Sequence, residues 1–236
     1  EVLQVLDHRS ARVVLIEGVA GAGKSALADR VAHRASELGA ATVVHVGHRS
    51  HHGAQDGLSQ ALLRHHRLLG LALPAARERL RRELAALGEV DPVAMDLLTE
   101  ALLPASDDDR TSVVGRGTGG RFATLRRHLT RLAGPGLVIV RADGMAYAHD
   151  TVEFLHQLLD APAEVPVLVL ATLRPGAIAR SPIAPRLAAL RARVEPLALS
   201  DLDHSAQIAL LGDLVGLDSG LAAQVARRSA GNPLFA

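Results

Sequence analysis

The sequence predicts an α/β fold in which a doubly wound, mainly parallel sheet is flanked by helices. Short apolar runs alternate with amphipathic helical patterns along the 236-residue chain. Such runs are typical of parallel strands that are buried on both faces. A glycine-rich loop connects the first run to the first helical pattern. Strands joined by helical crossovers place a ligand beyond the carboxyl ends of the strands.

Five segments rich in β-branched and aliphatic residues predict the strands of this sheet. In chain order they are residues 13–16, 42–46, 137–140, 165–171 and 194–199. The first is directly followed by glycines, and the third ends close to an acidic residue. The sheet is therefore expected to present polar side chains where its strands end.

Nine segments repeat their apolar residues at helical spacing and predict helices. They are residues 25–38, 58–69, 75–87, 93–103, 122–132, 151–159, 185–192, 202–215 and 221–229. Gly39 is the expected C-cap of the first helix, and Ser200 and Asp201 are the expected caps of the helix at 202–215. Residues 48–57 and 106–120 have the composition of loops.

These elements predict an α/β core over residues 1–199, with a helical insertion at about 57–134, and a C-terminal helical segment over residues 200–236. The chain starts without Met and stops abruptly after the last helix. We therefore expect a part of a longer protein, in which the C-terminal segment leads into a following domain.

The loop between the first strand and the first helix matches G-x-x-x-x-G-K-[ST], the phosphate-binding loop. Its glycines let the backbone turn its amide groups toward phosphate, and the following helix directs its positive dipole end to the same anion. Lys24, the single lysine of the chain, is expected on the β- and γ-phosphates, and the Ser25 hydroxyl on Mg²⁺. The predicted phosphate-binding residues are Gly18, Val19, Ala20, Gly21, Ala22, Gly23, Lys24, Ser25 and Ala26. The alternative is a glycine-rich turn with an incidental Lys-Ser pair.

Composition excludes several other classes of protein. A net charge of +1 argues against a dedicated nucleic-acid binder, and the absence of cysteine excludes disulfides and thiolate metal sites. No apolar run approaches the roughly 18 residues of a membrane span, and the N-terminus lacks a signal-peptide pattern. A cytoplasmic protein is expected.

Several further segments, taken with the phosphate loop, resemble the nucleotide-binding domain of the STAND class of AAA-related ATPases, found in large LuxR-family transcriptional regulators. They are residues 137–143 leading into 151–155, residues 170–175, residues 195–200 and residues 231–235. The resemblance implies a P-loop NTPase that binds ATP or ADP with Mg²⁺, in a bacterial signalling protein. It implies as partners the other domains of the parent chain and a possible homo-oligomer, with no DNA binding by this segment.

The second acid motif departs from that family. The family's strand ends in two adjacent acids, and here Ala142 stands at the metal-supporting position and Asp143 at the water-activating one. Arg141 adds a positive charge near a site that should hold a cation. One acid normally supports the metal and the other activates the attacking water. Because only one acid is present here, hydrolysis is expected to be weak or absent. Lys24 and Asp143 are the catalytic candidates; a strand-end turn acid is the alternative for Asp143.

Two further positions follow from the resemblance. Thr172 and Arg174 lie just past a strand, where the family places a sensor of the γ-phosphate, although Arg174 before a proline also fits a solvated turn. Pro233 stands where the family approaches the adenine base, or it simply ends a helix.

The remaining motifs are weaker. Six histidines are candidate metal ligands by residue type: His45, His48, His51, His52, His65 and His66. Because no carboxylate or thiolate stands at ligand spacing from them, they are expected to be surface residues. Residues 77–83 alternate in charge and predict a solvated helix face with i,i+4 pairs.

The expected function is an ATP- or ADP-dependent regulatory switch. An active oligomeric ATPase, in which Arg180 reaches a neighbour's γ-phosphate, and a nucleotide-free interaction scaffold are the alternatives.

Overall fold

The structure, a computed structural model, describes residues 1–49, 57–103, 117–161, 164–229 and 231–235. Its strands are β1 (Arg12–Glu17), β2 (Ala41–Gly47), β3 (Leu137–Asp143), β4 (Val167–Leu173) and β5 (Pro196–Ala198). They form one sheet with the order β2-β3-β4-β1-β5, and every neighbouring pair is parallel. The α/β class and the parallel sheet predicted from the sequence are confirmed.

Ten helices are described. They are α1 (Val2–His8), α2 (Lys24–Glu37), α3 (Leu58–His65), α4 (Leu73–Ala86), α5 (Pro92–Leu102), α6 (Gly117–Ala133), α7 (His149–Leu159), α8 (Ala184–Arg193), α9 (His204–Val215) and α10 (Ser219–Ser229). Short 3₁₀ turns occur at Met145–Tyr147, Pro175–Ala177 and Pro233–Phe235. Within the described part of the chain, no helix has the length and apolar character that crossing a membrane would require.

Helices cover both faces of the sheet. Alternate residues of β3 point to opposite faces, as a strand requires: Leu137 and Ile139 pack with α1 and α2, whereas Val138 and Val140 pack with the helices of the other face. The second face carries α3, which packs on β2, together with α6, α7 and α8. Helix α5 packs against α3 and α6, and α4 packs against α5. The sheet is therefore the rigid platform from which the loops at the strand ends emerge.

Most element boundaries agree with the sequence, and the differences have local causes. Gly39 closes α2 as predicted, with its amide donating to Ser36 O at 2.9 Å. Helix α3 ends at His65 rather than at residue 69, because Arg67 takes a left-handed conformation with φ of 52°. The predicted caps Ser200 and Asp201 are wrong: Asp203 caps α9, accepting from the amide of Ala206 at 2.8 Å.

Two further differences concern helices that the periodicity misjudged. Helix α1 was not predicted, because seven residues are too short for a clear helical period. Helix α6 begins at Gly117, before the predicted start at residue 122. Residues 106–116 of the loop predicted there, and residues 50–56 of the loop predicted at 48–57, lie outside the described residues.

Candidate functional site

A large cavity lies at the carboxyl ends of three neighbouring strands. Because β4 lies between β1 and β3, the loops that follow these strands meet at one edge of the sheet. The cavity has a volume of about 700 Å³. The residues of the sequence-predicted site that line it are Ala20, Gly21, Gly23, Lys24, Ser25, Ala26, Asp143, Thr172, Arg174 and Pro233. The predicted loop residues Gly18, Val19 and Ala22 do not line the cavity.

The glycine-rich loop makes a sharp turn into α2. Gly21 and Gly23 have φ of 82° and 86°, which residues with a side chain rarely adopt. The amide of Leu27 donates to Gly23 O at 2.8 Å, whereas the amides of the first turn of a helix have no acceptor within that helix. Lys24, Ser25 and Ala26 form this first turn and line the cavity. The arrangement suits an anion.

Lys24 is largely buried, with 9% of its surface exposed. Its ammonium donates a hydrogen bond to Val19 O at 2.6 Å, so it is held across the loop. Burial lowers the pKa of Lys24 below its ordinary value, the neighbouring Arg174 lowers it further, and Asp143 acts in the opposite direction. A negatively charged ligand in the cavity would stabilise the ammonium.

Asp143 links the three strand ends. Its Oδ1 accepts hydrogen bonds from the hydroxyl of Ser25 at 3.0 Å and from the hydroxyl of Thr172 at 2.6 Å. Thr172 is buried at the end of β4, and Ser25 is at the start of α2. The carboxylate therefore lies beside the hydroxyl that the phosphate-loop motif assigns to Mg²⁺.

Ala142 and Asp143, the two positions that the resemblance assigned to the acid motif, have different surroundings in the structure. The sequence comparison placed Ala142 at the metal-supporting position and Asp143 one position further on. In the structure Ala142 is fully buried in the core, and Asp143 is the residue that contacts Ser25. The position after it is Gly144, with φ of 76°. Asp143, and not Ala142, is therefore the residue that contacts Ser25, and a glycine follows it.

Arg141 contacts the other oxygen of the Asp143 carboxylate, Oδ2. It donates to Asp143 Oδ2 at 2.5 Å and to His45 Nδ1 at 3.1 Å, and it pairs with Asp29 Oδ1 at 3.0 Å. Its side chain is only 19% exposed. The positive charge that the sequence indicated near this site is therefore shared between the carboxylates of Asp143 and Asp29.

His48 belongs to the site, although its sequence context indicated only a loop. Its Nδ1 donates to the backbone oxygen of Asp143 at 2.9 Å, and its Nε2 lies 2.9 Å from the hydroxyl of Thr151. It also lines the cavity. No periodicity or motif distinguishes such a histidine, because its partners are about a hundred residues away in sequence.

The C-terminal segment reaches the phosphate loop through Asn232. Its amide nitrogen donates to Ala20 O at 2.8 Å, and its side-chain oxygen accepts from the amide of Leu234 at 3.0 Å. A Cβ on Gly21 would lie closer than 3.0 Å to this side chain, so the contact requires glycine there. Pro233 follows directly and lines the cavity. The sequence singled out Pro233 but gave no signal for Asn232.

Two arginines extend the site away from the loop. Arg174 is exposed and lines both the main cavity and a neighbouring one of about 350 Å³. Arg180 lines the neighbouring cavity. This end of the site is therefore basic.

The surface interpretation of the histidines holds for some and fails for two, because His48 belongs to the site and His66 is buried. His45 and His65 are exposed, but His66 is 3% exposed and paired inside the helical insertion. His51 and His52 lie outside the described residues. The charged face of α4 has the predicted i,i+4 pairs, Arg79 with Glu83 at 3.0 Å and Arg82 with Glu78 at 3.6 Å.

The chain matches no protein-family model and no curated protein. The fold and the site together define an α/β protein with a parallel five-stranded sheet and a basic cavity at its strand ends.

Proposed function

We propose that this chain is a nucleotide-binding switch domain that takes ATP or ADP with Mg²⁺ and hydrolyses ATP slowly or not at all. The observation that carries the proposal is the convergence of Lys24, Ser25, Asp143 and Thr172 at one cavity of about 700 Å³. The chain would then have the P-loop NTPase fold.

The phosphates fit the mouth of the first βα turn. The free amides at the start of α2 and its dipole favour an anion, and the Lys24 ammonium is the nearby compact charge. The Ser25 hydroxyl and the Asp143 carboxylate are oxygen donors of the kind that Mg²⁺ prefers, and they already lie within 3.0 Å of each other. Bound Mg²⁺ would neutralise phosphate charge.

The same site supports weak hydrolysis. Asp143 is the one carboxylate among the described residues that line the cavity, and its oxygens are already engaged by Ser25, Thr172 and Arg141. His48 is the other candidate base, but both of its ring nitrogens have partners. An attacking water would therefore lack a free base.

Asn232 supports a switch. Its contact with Ala20 O joins the C-terminal helices to the loop that would hold the phosphates. A ligand that binds one arrangement of this contact better than another shifts the balance between them. By its resemblance to STAND-class domains, the parent protein would be a bacterial signalling protein of the LuxR regulator kind, with its other domains or a second copy as partners.

Titration of Mg-ATP and Mg-ADP against the wild type and Lys24→Ala tests the proposal, with phosphate release followed for hours. Both nucleotides are expected to bind the wild type, and Lys24→Ala is expected to weaken binding by at least about tenfold, because a charged hydrogen-bond donor is lost. Arg82→Ala, an exposed arginine on α4, is the control and should leave binding unchanged.

Two outcomes would contradict the proposal. No binding of either nucleotide with Mg²⁺ present favours the nucleotide-free scaffold. Rapid phosphate release that rises with protein concentration and disappears in Lys24→Ala favours an oligomeric ATPase, with Arg180 as the first arginine to test in the neighbouring subunit.

Arg141→Met is expected to make nucleotide binding more dependent on Mg²⁺. The guanidinium now neutralises Asp143, so it competes with a divalent cation for the same carboxylate. Its removal should raise the ratio of Kd without Mg²⁺ to Kd with Mg²⁺ by about threefold to tenfold, the range of one charge interaction near a protein surface. Calorimetry with and without a chelator measures this ratio. Arg81→Met, whose partner Asp96 is exposed, is the control, and an equal ratio in both variants would refute the role of Arg141.

A further inference from the structure

The smaller cavity beside the strand-end cavity has its own set of lining residues. Gly176, Arg180 and Ser181 line only the smaller cavity, whereas Tyr147 and Arg174 line both. We call the smaller one the Arg180 cavity. Its volume of about 350 Å³ lies at the lower end of the range that small-molecule sites have. It therefore offers room for a small ligand beside the cavity at the glycine-rich loop.

Hydrogen bonds hold the two walls of the Arg180 cavity together. One wall begins with a turn in which the amide of Ala177 donates to Arg174 O at 2.9 Å. The other wall is the 3₁₀ turn that contains Ala146 and Tyr147. Ser181 is 9% exposed, and its hydroxyl donates to Ala146 O at 2.6 Å, which connects the first wall to the second. The backbone around this cavity is therefore fixed before any ligand binds.

Two positive charges at the Arg180 cavity have no acid to compensate them. Arg174 and Arg180 are both exposed, and neither side chain makes an ion pair or hydrogen bond within the described part of the chain. No carboxylate is among the described residues that line this cavity. Burial, and then the positive charge of Arg174, lower the pKa of Lys24, so the charge of Arg174 is felt across the larger cavity. The Arg180 cavity therefore favours an anion.

The number of arginines indicates which anion fits best. A guanidinium binds carboxylate or phosphate oxygens through two parallel hydrogen bonds. A carboxylate carries one negative charge, whereas a phosphate monoester carries close to two at neutral pH and has three terminal oxygens. A phosphate monoester can therefore compensate both arginines at once, and the volume of the cavity leaves space for a small organic group on the phosphate.

We propose that the Arg180 cavity binds a small phosphate monoester, whose phosphate oxygens accept hydrogen bonds from Arg174 and Arg180. This site is separate from the glycine-rich loop, and nothing in the proposal depends on nucleotide binding there. Arg174 cannot distinguish the two sites because it lines both cavities, but Arg180 can, because it lines only the smaller one.

Methyl phosphate and methyl sulfate test this proposal, because they have nearly the same shape and differ by one charge at about pH 8. Tyr147 is the single tyrosine of a chain without tryptophan, so tyrosine fluorescence and the NMR signals of its ring report binding beside it. Both probes are titrated into the wild-type chain. Methyl phosphate is expected to bind about threefold to tenfold more tightly than methyl sulfate, the effect of one charge interaction near a protein surface.

Two variants locate the bound probe, because Arg180 lines only the smaller cavity and Lys24 only the larger one. Arg180→Met is expected to weaken methyl phosphate binding by at least about tenfold, since a charged hydrogen-bond donor is lost. Lys24→Ala is expected to weaken it by a smaller factor. Arg186→Met is the control and should leave binding unchanged, because Arg186 pairs with Glu153 and does not line the cavity.

Three results would overturn the proposal: no saturable change of the Tyr147 signals with millimolar methyl phosphate, equal affinities of the two probes, or binding that Arg180→Met weakens no more than Lys24→Ala does. A loss confined to Lys24→Ala would place the phosphate at the glycine-rich loop, so it would remove this proposal and leave the nucleotide proposal standing. The side chain of Arg180 is exposed, so its substitution should not alter the fold.

Discussion

Gly144→Ala is expected to lower the free energy of unfolding by about 3 kcal/mol. Gly144 has φ of 76°, a conformation that costs a residue with a side chain about 1–2 kcal/mol. An alanine Cβ would also lie closer than 3.0 Å to the backbone oxygen of His48. Overpacking against such a neighbour adds roughly 1–3 kcal/mol, because a backbone oxygen cannot rotate away. Urea unfolding of the variant and the wild type measures the loss.

Gly88→Ala is the matched control for this substitution. Gly88 has φ of 79°, but a Cβ there would meet no atom within 4 Å. It should therefore show the backbone strain alone, about 1–2 kcal/mol. Equal losses in the two variants would show that the approach of His48 to Gly144 has no energetic effect.

The same close approach bears on the missing acid. Gly144 follows Asp143, so it stands where a second carboxylate would complete the acid pair. Any side chain at this position would meet His48, which itself holds the backbone of Asp143 through its ring and its amide. Because the nearest atoms belong to the backbone of His48, a side chain at position 144 requires the backbone of one of the two loops to move.

The sequence predicts the sheet and the glycine-rich turn into α2 well because their signals are local. The run Arg12–Glu17, the glycines after it and the helical period of α2 lie within one stretch of about 25 residues, and each has its own physical reason. The apolar runs of β3 and β4 are equally local, since both faces of these strands are buried.

The sequence does not predict the partners of the site residues. Asp143 was assigned by its distance from Thr151, and this counting gave no sign of its hydrogen bonds with Ser25 and Thr172. The contact of Asn232 with Ala20 spans 212 residues, and that of His66 with His128 spans 62. Pairs of this kind depend on how layers pack, which no periodicity in a single sequence records.

The largest expected effect of pH comes from His128. Burial, with smaller contributions from His66, His65 and Arg131, lowers the pKa of His128 to about 3 from its ordinary 6.5. In the unfolded chain His128 becomes protonated below about pH 6.5. In the folded chain it stays neutral until the pH falls to about 3. Stability is therefore lost as the pH falls through this range, and it is fully present above it.

Between pH 7 and pH 4.5 this single group is expected to remove roughly 2–3 kcal/mol from the free energy of unfolding. His128→Gln cannot titrate, yet its amide can still donate to Nε2 of His66. Urea unfolding of the wild type and of this variant at the two pH values measures the contribution of His128 together with its coupling to His66, because the more distant titrating groups act alike in both proteins.

His33→Gln is the control for the change in residue type. His33 lies on the surface of α2, with its side chain 74% exposed, and pairs with Glu37. Its substitution should leave the loss of stability between pH 7 and pH 4.5 within about 0.5 kcal/mol of the wild type, as for a surface change. An equal loss in the wild type and in His128→Gln would mean that His128 takes up its proton without unfolding.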